Sequence, residues 1–200
     1  MKIIVVGGTG IIGKAIVNEL APRHEVVVAS AQSGDIKVDM TSIASIEKMY
    51  EKVKNVDAVV SAAGTVHFAD FADMQEQEYR VGIDNKLMGQ VNLVLVGRNY
   101  LNPNGSFTLT SGILNQDPIR YGSGAAMVNG ALNGFVVSAA IEMPKNMRIN
   151  IVSPTVIAEA MANYAPYFRG YQPVAAAQAA LAFSKSVEGL QTGQIYRVGY

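Results

Sequence analysis

The chain has no cysteine, and that one absence removes disulfides, thiolate nucleophiles and cysteine-ligated metal sites together. It has little histidine: His24 and His67 are the two, far apart and without the spacing of a metal site, so no metal is expected. It has no excess charge of either sign, since 16 Lys and Arg balance 16 Asp and Glu. Without a basic run or a charge block, attraction to a phosphate backbone or to anionic lipid has little to act on, and neither nucleic acid nor membrane is an expected partner. No apolar run approaches membrane-spanning length, and the N-terminal run Ile3–Val6 is too short for a signal-peptide core. The expectation is a soluble, cytoplasmic protein.

At 200 residues, half of them hydrophobic, the chain suffices for one sizeable core and is short for two, so a single domain over residues 1–200 is expected. Apolar, β-branched runs recur at Ile3–Val6, Val26–Ala29, Ile36–Val38, Ala58–Ser61, Phe107–Thr110, Ile149–Val152 and Ile195–Val198. Their hydrophobicity is continuous rather than alternating, which implies strands buried on both faces. Helical patterns lie between them, near Ile11–Ala21, Ser42–Lys52, Asp73–Tyr100 with one break, Ser123–Glu142 and Val174–Val187. Strand and helix in alternation predict a doubly wound α/β fold: a parallel sheet of about seven strands with helices on both faces, in three α/β/α layers. The segment from Pro154 to Pro173 is the least regular. Its tyrosines, Tyr164, Tyr167 and Tyr171, read equally as parts of a binding loop or as packing anchors.

The opening KIIVVGGTGIIGKAIV runs a strand into a glycine turn and then into a helix. Such a turn aims free backbone N–H groups and the positive end of a helix dipole at one point, which suits a phosphate or pyrophosphate. Gly7 and Gly10 allow the tight turn and close approach, and Gly13 lets the first helix lie tightly on the strand. Glycine turns also join strands to helices in proteins that bind nothing, so the strand-turn-helix context carries the reading.

Further landmarks follow in order. VDM stands at Val38–Met40, SAAG at Ser61–Gly64, DNKLMG at Asp84–Gly89, GSFTLTSG at Gly105–Gly112, AAIEMPKNMRINIVSP at Ala139–Pro154 and TGQIYRVG at Thr192–Gly199. Together with the glycine turn, this series resembles the short-chain dehydrogenase/reductase family over essentially the whole chain. The resemblance implies a Rossmann-like domain and an NAD(P) coenzyme held by Gly7, Gly10, Ile12 and Gly13. It further implies contacts from Asp39 at the adenine, from Ala62 and Gly64 after the fourth strand, and from Asn129 and Pro154. It makes Asn85 the active-site asparagine and Ser111 the catalytic serine.

The sequence departs from the family at its Tyr-x-x-x-Lys pair. In the family the tyrosine is a general acid/base and the lysine lowers its pKa while bonding the nicotinamide ribose. Counting back from MVNGALNGF, the tyrosine position falls on Ala125 and the lysine position on Asn129. Alanine has no proton to exchange, and asparagine can bond ribose hydroxyls but carries no charge. Tyr121, four residues earlier, would sit roughly 5–6 Å away along a continuous helix, which only a loop could close. His67 and Tyr164 are further candidates, with loop and packing roles as their alternatives.

The end of the second strand reads VVVASAQSGD, with Ser30 where an acid would bond the ribose hydroxyls and repel a 2′-phosphate. That favours NADP(H) over NAD(H), with Lys14 and Arg23 the nearest basic residues in sequence. The small residues of Ser123–Glu142 read either as close packing on the sheet or, as the resemblance implies, as part of a homodimer or homotetramer interface. Three functions stay open: a reductase or dehydrogenase of a small carbonyl or alcohol, with Ser111 polarising the substrate oxygen; a non-catalytic dinucleotide sensor; and a catalyst of another type, such as an isomerase.

Overall fold

The computed structural model describes residues 1–200. Its strands are β1 (Lys2–Val6), β2 (Glu25–Ser30), β3 (Ile36–Lys37), β4 (Val56–Ser61), β5 (Leu101–Thr110), β6 (Arg148–Pro154) and β7 (Ile195–Val198). They form one seven-stranded sheet in the order β3-β2-β1-β4-β5-β6-β7, with every neighbouring pair parallel. The order reverses between β1 and β4, so a crevice opens beyond their carboxyl ends, where ligands bind in open α/β sheets.

Both faces of this sheet are covered, and alternate side chains of one strand feed different cores. From β1, Ile4 and Val6 join a cluster with Ile46, Leu93, Leu132 and Val136, which lie on α2 (Ile43–Val53), α4 (Met88–Gly97) and α5 (Ser123–Ala139). Ile3 and Val5 point the other way, into a cluster with Ile16 and Leu20 of α1 (Ile11–Leu20) and Phe183 and Val187 of α7 (Ala176–Glu188). A strand that must satisfy two cores has no polar face to show, which is why the apolar runs are continuous.

The long helical stretch, expected to break once, is continuous over residues 76–97 and changes its winding instead. α3 (Glu76–Val81) passes through a π-helical turn, Gly82–Leu87, into α4. Such a widened turn holds one residue more than the α-helical period allows and frequently marks a functional site. A four-residue α6 (Met161–Tyr164) interrupts the irregular segment before α7. No helix is long and apolar enough to cross a membrane.

The first and last helices also meet at their polar rims. Arg23, just past α1, bonds Glu19 at 2.9 Å and Glu188 at 2.8 Å, and donates to Ser184 at 2.9 Å.

Candidate functional site

The glycine turn after β1 is tight for steric reasons. Gly7 has a left-handed φ of +81°, and a Cβ on Gly13 would stand 2.0 Å from the Gly7 carbonyl oxygen. Gly10 is the N-cap of α1, its N–H donating to Gly7 O at 3.0 Å. No side chain caps that helix and no acidic residue sits in its first turn. The first-turn N–H groups of α1 and its dipole therefore face outward with nothing of the protein's own to neutralise them.

Two recesses flank this turn. One, of about 180 Å³, is lined by Gly7, Ser30, Asp39, Ala63, Gly64 and Asn85 among others. The second is a cavity of about 270 Å³ whose walls include Ile12, Ala62, Lys86, Ser111, Asn129 and Tyr164. Ala63 and Gly64 border both, so the recesses adjoin along the carboxyl edge of the sheet and make up one cleft region there. The larger cavity opens into an apolar groove walled by Ile11, Phe68, Ala160 and Phe168.

Most of the sequence-predicted residues converge here. Ile12, Ala62, Gly64, Ser111, Asn129 and Pro154 line the larger cavity, while Gly7, Ser30 and Asp39 line the smaller recess. Gly10 and Gly13 shape the turn between them. Asp39 lies just beyond β3, its Oδ1 accepting the Thr41 N–H at 2.9 Å and the Thr41 hydroxyl at 2.7 Å, and these bonds hold its carboxyl below the usual carboxylate range. Ser30 is turned inward: its hydroxyl donates to Ser33 O and accepts the Ser33 N–H at 3.1 Å.

Ser111 is placed by strong constraints. The buried Gln90 amide spans the end of β5, donating to Thr110 O and accepting from Thr110 N–H, each at 2.9 Å. Thr110 Oγ1 donates to Ser61 O at 2.6 Å, and Ser111 N–H donates to Val152 O at 3.0 Å. With its backbone so fixed, Ser111 still carries a buried hydroxyl that meets no hydrogen-bond partner in the protein. A buried polar group left without a partner costs about 1–3 kcal/mol, so the Ser111 hydroxyl on the cavity wall is free to bond a polar atom of a ligand.

Several expectations change. Asn85 lines the smaller recess and not the cavity that Ser111 lines, and its Oδ1 accepts the Thr65 N–H at 2.8 Å, pinning the loop after β4. Tyr121 does not reach the cavity either. Its backbone turns left-handed at φ +68°, and its ring packs on Tyr167 at 5.6 Å under the Arg120 guanidinium, beside a separate hollow. His67 lines neither recess, whereas Tyr164 lines the larger one. Neither basic candidate reaches the Ser30 recess: Arg23 is bound among Glu19, Glu188 and Ser184, and Lys14 lies on the outer side of α1 near Glu159. The irregular segment performs both expected jobs, since Tyr164 and Phe168 line the cavity while Tyr171 donates to Asp117 O at 3.2 Å.

Lys86 is the residue that the sequence reading missed. It follows Asn85 in the π-helical turn and points the other way, across the cavity floor, donating to Asn129 Oδ1 at 2.8 Å and to the Ser111 carbonyl at 3.2 Å. Its stem passes beneath Gly64, where a Cβ would lie 2.7 Å from Lys86 Cγ. It forms no ion pair, and burial alone pushes its pKa from 10.5 down to about 8.

The sheet order, the glycine turn and the cleft together define a Rossmann-like three-layer protein. Residues 6–190 match the family model described as enoyl-(acyl carrier protein) reductase, and the chain belongs to the short-chain dehydrogenase/reductase family. Its structure is similar to that of the protein lin1944 from Listeria innocua, with 50% identity, a TM-score of 0.97 and 99% of each chain covered. It is similar also to a small-chain dehydrogenase in complex with NADPH, with 26% identity, a TM-score of 0.88, and 99% of this chain and 96% of that one covered. An uncharacterized oxidoreductase of Methylorubrum extorquens is 24% identical over 127 residues, and the chain spans about half the length of that curated relative.

Proposed function

We propose that this chain is an NADP(H)-dependent oxidoreductase of a small carbonyl or alcohol, working through a site that has lost the family's tyrosine and lysine. The observation that carries the reading is the buried, unpartnered Ser111 hydroxyl beside a cavity that adjoins the glycine-turn recess.

The residues present fit the coenzyme. The uncapped N-terminus of α1 suits a diphosphate, and the recess of Ser30 and Asp39 suits the adenosine end. Ser30 in place of an acid favours the phosphorylated form, and a relative described as bound to NADPH supports the same choice. The coenzyme supplies or accepts a hydride. In this chain Ser111 would hold the substrate oxygen through its free hydroxyl, Asn129 would bond ribose hydroxyls, and the apolar walls at Ile12, Val156 and Phe168 would exclude water.

The test is a fluorescence titration with NADPH and NADH, followed by turnover assays across a panel of small aldehydes, ketones and alcohols. Micromolar NADPH affinity with turnover supports the reading, and binding without any turnover overturns it. That second result favours a non-catalytic dinucleotide sensor, the alternative for which Ala125 at the proton-donor position argues.

We assign the protein to the cytoplasm and to a homodimer or homotetramer. The exposed side of α5 is an apolar stripe of Met127, Ala131, Gly134 and Val137, continued by Ile141, and α4 adds Met88 and Leu95.

A further inference from the structure

The family's lysine position is neutral here, because Asn129 occupies it, yet a cationic nitrogen reaches the same place from another element. Lys86 arrives from the π-helical turn and bonds Asn129 Oδ1 and the Ser111 carbonyl. An ammonium has three N–H donors, and these bonds account for two. The third has no acceptor in the protein, and Lys86 is a wall of the cavity into which it can turn. Beside it Ala125, small and buried, keeps open the volume that a tyrosine would fill.

We propose that Lys86 is the proton donor of this site, doing from the π-helical turn what Ala125 and Asn129 cannot. The proposal rests on the oxidoreductase reading and specifies its acid. In the reducing direction the bound coenzyme would supply the hydride that forms the new C–H bond at the carbonyl carbon. The C=O π pair moves onto oxygen, and a Lys86 N–H bond breaks as the O–H bond forms. The carbonyl is reduced to an alcohol, the nicotinamide is oxidised, and the neutral amine recovers a proton from water. Ser111 holds the same oxygen without exchanging its own proton.

The surroundings suit that task. No Asp, Glu or His lines the cavity, and Tyr164 is the one other titratable group there. On the same stretch of helix, Asp84 faces Arg80 at 4.0 Å. Across the cleft, Asp39 borders the other recess and is bonded to Thr41. No carboxylate therefore holds the proton on Lys86, and its pKa of about 8 lies near the working pH of a general acid.

Two variants test this, Lys86→Met and Asn129→Asp. With the best substrate of the panel, Lys86→Met is expected to lower kcat by about 10²-fold or more while NADPH affinity stays within about threefold. Parental kcat for reduction is expected to fall about tenfold per pH unit above pH ~8, and Asn129→Asp, by setting a carboxylate against the ammonium, to move that fall upward by about one unit or more. A readout without coenzyme accompanies these: NMR titration of ¹³C-labelled lysine ε-carbons, with Lys86 identified by its loss in Lys86→Met. Its resonance is expected to titrate near 8 and to move up in Asn129→Asp. Parental turnover that survives Lys86→Met overturns the donor assignment alone, as does a Lys86 resonance titrating near 10.5 in both proteins. A parent that turns over nothing overturns the oxidoreductase reading, and the donor assignment falls with it.

Discussion

Lys86 Nζ lies 2.8 Å from Asn129 Oδ1, which ties the π-helical turn between α3 and α4 to the middle of α5. Because Asn129 also donates through Nδ2 to Gly112 O at 3.2 Å, the two residues close the cavity floor as one hydrogen-bonded unit. The unit holds a charged group in a place with no counter-charge, and this has a cost that depends on pH.

Lys86 titrates at about 8 in the folded chain and at about its ordinary value of 10.5 when unfolded. Between those values the unfolded state binds more protons, so stability rises with pH across that window as the penalty of the buried ammonium is relieved. The Lys86→Met variant lacks the penalty. Its melting temperature is expected to exceed the parent's near neutral pH, and the difference to shrink as pH rises from about 8 toward about 10. Paired thermal melts across that range check the sign.

Ser111→Ala removes the hydroxyl while leaving the backbone bonds that hold the strand end. Kcat is expected to fall by about 10²–10³-fold, with NADPH affinity unchanged. The parent's unpartnered hydroxyl makes the variant as stable as the parent or slightly more so, measurable by chemical denaturation.

Gly13→Ala drives a methyl into the Gly7 carbonyl, which stands 2.0 Å from where the Cβ must go. The turn and α1 must separate. A stability loss of about 1–3 kcal/mol is expected, together with loss of saturable NADPH binding. Gly10→Ala at the same turn meets no closer atom than Gly7 O at 3.4 Å and serves as the milder comparison.

Ser30→Asp sets a carboxylate at the end of β2. NADPH affinity is expected to fall about tenfold or more relative to NADH, through repulsion of the 2′-phosphate. The ratio of the two dissociation constants is the quantity to follow, because loss of the bonds from Ser30 to Ser33 affects both coenzymes alike.

Val137→Glu places a charge in the apolar stripe of α5, where Gly134 has no atom within 4 Å of a Cβ position. Sedimentation velocity is expected to show the parent as a dimer or tetramer and the variant as a monomer. Val137 is already 49% exposed in the single chain, so the variant's melting temperature as a monomer reports the interface and not the core.

The sheet was legible because its inner strands are buried on two faces and are therefore mostly apolar, without a break in Ile3–Val6 and with only the buried Asn150 inside Ile149–Val152. The glycine turn was legible because Gly13 is demanded by the neighbouring Gly7 carbonyl and Gly7 by its own left-handed φ, although the Ala62 carbonyl that also excludes a side chain at Gly7 lies far along the chain. The acid side of the site was not. A helical period read through residues 73–100 gives no sign that the turn at Gly82–Leu87 is widened, and that turn sends Asn85 to one recess and Lys86 to the other. The signal available was a lysine next to Asn85, the asparagine that the resemblance picks out, in a chain where the same resemblance puts Asn129 at the lysine position. Gln90 was equally hidden, since a buried amide completing a strand end leaves no periodic trace. Lys14 and Arg23 were near the coenzyme only in sequence: α1 carries Arg23 to the opposite edge of the sheet and turns Lys14 outward.

The pairing of the first helix with the last has its own consequence during synthesis. Ile16 and Leu20 leave the ribosome long before Phe183 and Val187, which cover them. Contacts so distant along the chain form slowly. Until α7 has been made, the nascent protein must therefore carry an exposed oily surface, which makes it a natural client for chaperones.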